Sequence, residues 1–543
     1  MNRRLGLGLL LAFVAALALR APHLDSRPMH NDEAVNALKL QALWEHGTYV
    51  YDPDEYHGPA LHYASLPFLW LSPARDFSQV TERTLRLVTV CFGLALIPLL
   101  WWLRDGLGKR ATFFAAVFTA ISPAMVFYSR YFIHEMLLVC FSMLVMAAGW
   151  RYSRTRRIGW AVLAGAGVGL MYATKETCVI ALGAMGLAMV LTWFWNRKPG
   201  DPPLRFDSFV RPKHALAALV IAALISVILF TSFFTNARGP LDSLLSFVPW
   251  FHRARGHSPH IHGFGFYFER LAWFHSGRGP VWSEGLVLVL ACLGLVAAIT
   301  RRALGEANVS FVRFVASYTV ILALAYSTIS YKTPWCLLGF LHGMILLAGV
   351  GAVALWHWIM PALAGQGEGA QHRVPSGSAR IRTWIRALAV VLLLVAATAH
   401  LTWLAWQSCS LYAADRRNPY VYSQTVPDVL DMIERIEALA KIRPQNAMVV
   451  QVMAPESDYW PLPWYLRGFK QVGWWDHWRE DPAASVLVVG QKLASSLEKS
   501  SDSAWTALGI YGLRPGSFFQ LYVRSDLWRD YLATMPRHAS EKR

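Results

Sequence analysis

Charge is scarce in this sequence. Of its 543 residues 16% are Asp, Glu, Lys or Arg, and acids (34) are fewer than bases (51). Soluble domains run near a quarter charged, so an ordinary soluble enzyme is excluded. Cysteine is scarce as well, with six residues. Cys91, Cys140, Cys178, Cys292 and Cys336 lie inside apolar runs and Cys409 sits at the edge of another. No CxxC pair occurs, which argues against a zinc ribbon or a disulfide framework. No internal duplication of the kind common in secondary transporters is visible. The net charge of +17 would suit a nucleic-acid binder. Its basic residues instead alternate with apolar spans, and no basic patch joins a binding motif, so nucleic acid is not expected as a partner.

What the chain has in quantity is apolar length. Hydrophobic residues make up 55% and there are 24 Trp, a residue favoured at bilayer interfaces. Runs near the ~20 residues that cross a hydrocarbon core occur at 5–21, 84–103, 111–128, 133–150, 158–174, 178–195, 214–234, 281–300, 309–328, 335–357 and 384–407. Arg20 and Pro22 favour a retained first helix over a cleaved signal peptide. The loops sort by charge. Arg3/Arg4, 104–110, Arg151–Arg157, 196–213, Arg301/Arg302 and the Gly/Ser/Arg-rich 364–382 share one side; 22–83, 129–132, 175–177, 235–280, 329–334 and the tail share the other. The positive-inside bias then predicts a cytoplasmic N-terminus, an outer C-terminus and an odd number of crossings in a multi-pass protein of the cytoplasmic (inner) membrane. Glycine clusters at Gly165–Gly169 and Gly343/Gly349/Gly351 read as close-packing helix faces.

In the first outer loop Asn31–Trp44 reads as an amphipathic helix, with Ala34, Leu38 and Leu43 opposed to Asn36, Lys39 and Gln41. Residues 59–71, interrupted by His62 and Pro67, predict an interfacial or re-entrant helix rather than a crossing. From about 409 the pattern changes. Val426–Ala440 is helical, while Ala447–Met453, Ser485–Val489 and Phe518–Val523 are short apolar runs suited to strands. The expected architecture is an all-α membrane domain of about eleven transmembrane helices (1–408) with a small α/β extracytoplasmic domain (409–543). That outer domain has no phosphate-cradling glycine motif.

Ionisable residues cluster on the outer side. Asp32-Glu33 either complements the helix N-terminus or supplies a general base at the membrane rim, beside His30 and Asn31. Ser129–Glu135 contains Arg130, His134 and Glu135, with Glu135 dipping towards the bilayer. Thr174-Lys175-Glu176-Thr177 is a solvated turn or part of a site; ionisable groups at membrane depth usually mark one. Tyr331–Trp335 carries Lys332, either snorkelling or holding a phosphate, next to Trp335. His252, His257, His260 and His262 crowd loop 235–280; lacking a helical HxxxH or a cysteine partner, they read as a polar loop over the site rather than a zinc centre. Acids and cations on one face are what transfer from a lipid-linked phosphate needs.

The pattern resembles the membrane glycosyltransferases of the C-type fold. It is most similar to the protein O-mannosyltransferase and lipid A aminoarabinose transferase group (glycosyltransferase family 39-like). Asp32-Glu33, His57-Gly58-Pro59-Ala60-Leu61, Ser129-Arg130, Thr174-Lys175 and Lys332-Thr-Pro-Trp335 carry the likeness over about residues 1–360. Met29–Ala34 with Tyr459–Arg467 looks more like a narrower prokaryotic group of flippase-activity-associated glycosylation proteins. The resemblance implies inverting transfer of a sugar from a polyprenyl-phosphate donor to an acceptor hydroxyl on a lipid, glycan or protein, among membrane lipids. It implies Asp32 as the catalytic acid, with Glu33 and Glu135 beside it. His57, Arg130, His134, Lys175, Lys332 and Trp335 would bind donor phosphate or substrate. His57-Gly58-Pro59 departs from the group's His/Lys-Pro-Pro, and His57 stands where some members place a phosphate-contacting lysine. A divalent metal between Asp32 and Glu135 is compatible with the pattern, but the resemblance requires no cofactor. The competing reading is a flippase accessory or transporter that binds lipid-linked sugar without reacting it.

Overall fold

In a computed structural model the chain is described over residues 2–54, 57–199, 209–255, 260–359, 377–443, 448–479, 483–494 and 504–535. His257 and most of the basic loop 364–382 lie outside the described residues. The eleven apolar runs form helices. Among the described residues seven helices are long and apolar enough to cross a membrane singly, the longest being Glu82–Leu107, Pro334–Ile359 and Trp384–Cys409. Lys109–Ile121 and Pro123–Ser129 form a further pair bent by 58°. Ile158–Tyr172 and Gly285–Thr300 are shorter apolar helices, and α1 spans Asn2–Arg20. The chain is a multi-pass membrane protein.

Burial ranks these helices. Of the most apolar window, 83% is buried in Pro334–Ile359 but only 6% in Pro212–Phe230 and 17% in Trp384–Cys409. The first is therefore central and the other two face lipid. Close approach rests on glycine, as the sequence pattern predicts. A Cβ at Gly351 would collide with the Leu290 carbonyl, and one at Gly165 with Ala218. The bent pair breaks because Pro123 cannot donate to the preceding turn. The carbonyls this leaves at Thr119 and Ala120 accept from the Arg20 guanidinium, at 2.8 Å each.

Two short helices occupy the loop 22–83 that follows α1. α2 spans Asn31–His46 and ends on Gly47 at φ 66°, and α3 spans Ala60–Trp70. At 11 residues α3 is too short to cross, and Trp70 and Leu71 at its end are exposed. The face of α2 differs from the simple amphipathic reading. Glu33 and Asn36 are buried with Ala34, Ala37, Leu40 and Leu43, because a neighbouring loop and Arg86 of the helix Glu82–Leu107 cover this face and supply their hydrogen bonds.

Beyond Cys409 a five-stranded sheet has the order β2-β1-β3-β5-β4. Its strands are β1 Val449–Met453, β2 Gln471–Trp475, β3 Val486–Gly490, β4 Trp505–Arg514 and β5 Ser517–Arg524. β1 pairs in parallel with β2 and β3; β5 is antiparallel to β3 and β4. The helix Asp428–Ala440 buries Val429, Ile433 and Ile436 against Val450, Val452, Val486 and Val488.

Candidate functional site

The two adjacent acids of α2 meet opposite environments. The N-cap is His30, whose ring accepts from the Asp32 amide at 3.1 Å, while Glu33 accepts from the His30 amide at 2.9 Å. Glu33 also accepts from Arg86 (2.8 Å, twice), Arg27 (3.1 Å) and the Phe132 amide (2.9 Å). Its side chain is fully buried. Burial alone would raise its pKa, but the Arg27 and Arg86 guanidiniums outweigh that and hold it well below the usual carboxylate range. Asp32 has a 52% exposed side chain, with His30 Nδ1 at 3.9 Å. That nitrogen accepts the Asp32 amide, so the ring proton sits on Nε2, facing the Tyr422 carbonyl at 3.1 Å. Among the described residues the Asp32 carboxylate thus accepts no side-chain hydrogen bond and has only the His30 ring beside it.

It projects into a cavity of about 270 Å³. Asp32, Val35 and Asn36 of α2 line one wall; His57, His134, Glu135, Lys175, Trp250, Tyr331 and Trp335 are among the residues of the others. A backbone crossing assembles the far wall: the Gly58 amide donates to Thr174 O at 3.1 Å and the Ala60 amide to Ala173 O at 2.8 Å. A Cβ at Gly58 would collide with the Ala173 carbonyl, which accounts for glycine where the resembling group has proline. The crossing sets His57 Nδ1 2.7 Å from Glu176 Oε2, and His134 Nε2 lies 3.1 Å from Gly58 O. Tyr51 OH donates to the other Glu176 oxygen at 3.3 Å. Lys175 forms an ion pair with Glu135 in the same cavity. Burial would lower the Lys175 pKa, but the Glu135 carboxylate holds it above the ordinary lysine value. Burial likewise opposes ionisation of Glu176, and His57 outweighs it. Asp32 therefore faces the Lys175–Glu135 ion pair and the His57–Glu176 hydrogen bond.

A narrower cleft of about 20 Å³ continues from this cavity, sharing Glu135, Thr177, Tyr326, Trp335 and Cys336 and adding Leu138, Val139, Ala181, Leu322 and Leu338. Polar groups thus give way to a small, mostly apolar recess that also holds Ser142 and Tyr318.

Of the residues singled out in the sequence, Asp32, Glu135, His57, His134, Lys175 and Trp335 come together here. Glu33, Arg130 and Lys332 do not line the cavity. Arg130 donates to the carbonyls of Arg20 (2.8 Å), Pro22 (2.5 Å) and His23 (2.9 Å), closing the end of α1. Lys332 Nζ donates to His262 O at 3.1 Å and to Ile329 O, so its charge is spent on backbone. His260 and His262 both reach Tyr422 OH, at 2.8 and 2.9 Å, and His252 is exposed. Among the described residues no three His, Cys, Asp or Glu side chains are grouped to hold a metal ion. Sequence reading missed Tyr51, Trp250, Arg27 and Arg86 as parts of the site or its support. Arg27 and Arg86 border apolar runs, but Asp25 and Glu82 stand near them in sequence and hid their pairing with Glu33.

The family described as dolichyl-phosphate-mannose-protein mannosyltransferase matches residues 60–239, which include His134, Glu135 and Lys175 of the cavity but neither Asp32 nor His57. No curated protein matches the chain by sequence. Among solved structures, ArnT from Cupriavidus metallidurans bound to undecaprenyl phosphate is similar at 15% identity and TM-score 0.57, over 96% of this chain and 98% of that one. Its apo state aligns with TM-score 0.56 at 15% identity, over 95% and 98%. The archaeal oligosaccharyltransferase AglB from Archaeoglobus fulgidus, in complex with an inhibitory peptide and a dolichol-phosphate, aligns with TM-score 0.53 at 14% identity, over 99% and 75%. The chain has the C-type glycosyltransferase fold that the sequence resemblance implied.

Proposed function

We propose that the protein transfers a sugar from a polyprenyl-phosphate donor to an acceptor hydroxyl at the outer membrane face, with inversion. One observation carries the reading: the Asp32 carboxylate faces the Lys175–Glu135 and His57–Glu176 pairs across a cavity that adjoins a mostly apolar recess. The polar cavity suits the phosphate-linked sugar, and the apolar recess beside it marks the side from which a prenyl chain would approach. Asp32 takes the proton of the acceptor hydroxyl as its oxygen bonds to the anomeric carbon. The bond from that carbon to the phosphate oxygen breaks, and polyprenyl phosphate leaves with the electron pair. Lys175, at the cavity, stabilises that leaving charge; Glu135 holds the lysine in place and Glu176 holds the His57 ring. Trp335 and Trp250 supply flat apolar walls for the sugar. Glu33, Arg130 and Lys332 act from outside the cavity, by fixing the loops that shape it. The presence of this fold in ArnT bound to undecaprenyl phosphate and in AglB bound to a dolichol-phosphate supports the donor class.

The test is incubation of the purified protein with labelled polyprenyl-phosphate sugars and candidate acceptors. Loss of the lipid-linked donor with formation of a glycosylated product is the expected result. Binding without any consumption would instead favour a carrier or flippase accessory.

A further inference from the structure

The four residues that lead into Asp32 are held by the far end of the chain. Gln424 Nε2 donates to Pro28 O at 3.0 Å. Met29 is held twice: its amide donates to Tyr465 OH at 2.8 Å and its carbonyl accepts from Thr425 Oγ1 at 2.7 Å. His30 Nε2 reaches Tyr422 O at 3.1 Å. The Asn31 amide sits between the Trp460 carbonyl and Arg514 of β4. Gln424, Thr425 and Tyr465 lie about 400 residues from their partners in sequence, at separations of 396, 396 and 436. Thr425 is fully buried.

Among the described residues no side chain is hydrogen-bonded to the Asp32 carboxylate to aim it; its placement follows from the backbone of residues 28–32. A catalytic group must be held within a fraction of an ångström, and a 1 Å displacement costs on the order of 100-fold in rate. We infer that the outer domain and its linker are the positioning device for Asp32, with Thr425 and Tyr465 as positioning residues clamping Met29. The membrane domain thus carries the acid, and the outer domain fixes where it points. This inference rests on the transfer reading above.

Thr425→Val and Tyr465→Phe each remove one oxygen and preserve shape. In the double variant we expect turnover to fall about 10–100-fold, with donor affinity within about twofold of wild type. Thr425→Ser, which restores the hydroxyl, should recover most of the rate. In an Asp32→Asn background the same double substitution should cost less than about twofold more, because groups acting through one another are non-additive. Amide hydrogen exchange at residues 29–36 should rise in the double variant with the rest of the protein unchanged; this readout needs no activity, so it tests the clamp even if the wild type consumes no donor. Unchanged exchange there would overturn the clamp. Given an active wild type, unchanged turnover, or an equal loss with and without the Asp32 carboxylate, would overturn the positioning role while leaving the transfer reading intact.

Discussion

Asp32 and Glu33 are chemically near-twins, and one peptide bond separates their roles. Successive residues on a helix point about 100° apart, so only one can face the cavity once the other faces Arg27 and Arg86. Asp32→Asn keeps size and hydrogen bonding but removes basicity. The expected result is a turnover loss of about 10²–10⁴-fold with donor binding retained, read by single-turnover assay beside an equilibrium binding measurement. Glu33→Gln has a different signature, because it strands two buried guanidiniums. Breaking a buried pair typically costs about 3–5 kcal/mol, so thermal unfolding in detergent should shift strongly. Glu33 also sets a pH response. Its pKa is depressed in the fold, so its contribution is full above the unfolded carboxylate value and is lost as pH falls below it. Wild type should lose thermal stability in acid below about pH 4, and Glu33→Gln should lack that component. Sequence alone marked the pair as an acid site and left capping open. The structure gives the capping box to His30 and Glu33, a choice that depends on Arg86 of another helix and could not be read locally.

The elements were legible to different degrees, for physical reasons. The apolar runs announced themselves by length, since burial in lipid demands it. β1, β3 and β5 were visible as apolar runs. β2 (Gln471–Trp475) and β4 (Trp505–Arg514) were not: β2 is short, lies at the sheet edge and is exposed at Gln471, and β4 carries Gly509 and Gly512 with register shifts beside both. The least legible element is the crossing of residues 57–60 with 173–174, because its partners are over a hundred positions apart and each is an unremarkable turn. Gly58 is the residue on which that crossing depends. Gly58→Ala must push it apart against backbone, at a cost typical of overpacking, about 1–3 kcal/mol. It should also separate His57 from Glu176 and weaken donor binding. Gly183→Ala, where a Cβ meets open space, is the matched control and should leave binding and melting unchanged. Equal effects of the two would mean that the crossing does not shape the cavity.

At the scale of the whole molecule, loop charge and tertiary contacts constrain topology independently. Loop charge places 22–83 and the tail on one side and the arginine-rich loops on the other. The hydrogen bonds of Met29 to Tyr465 and Thr425 require residues 29, 425 and 465 to share a compartment whatever the charge bias says. Trp464 adds a bond to Glu82 at 2.7 Å and Arg467 one to Val80 O at 2.6 Å, so residues 464–467 also rest on the end of loop 22–83. The chain must then cross the membrane an even number of times between residues 50 and 420. Ten of the eleven apolar runs lie in that interval, which satisfies the parity. Reporter fusions after residues 50, 260 and 450 should therefore report the outside, and those after 105, 155, 205 and 370 the cytoplasm. The decisive comparison is 50 against 450. Opposite compartments would be incompatible with the clamp on Met29, and the Asp32 carboxylate would lose the structure that aims it. A common cytoplasmic result would keep the clamp but overturn the outer-face assignment. A common outer result leaves donor, acceptor and base on the same side of the membrane, as the transfer requires.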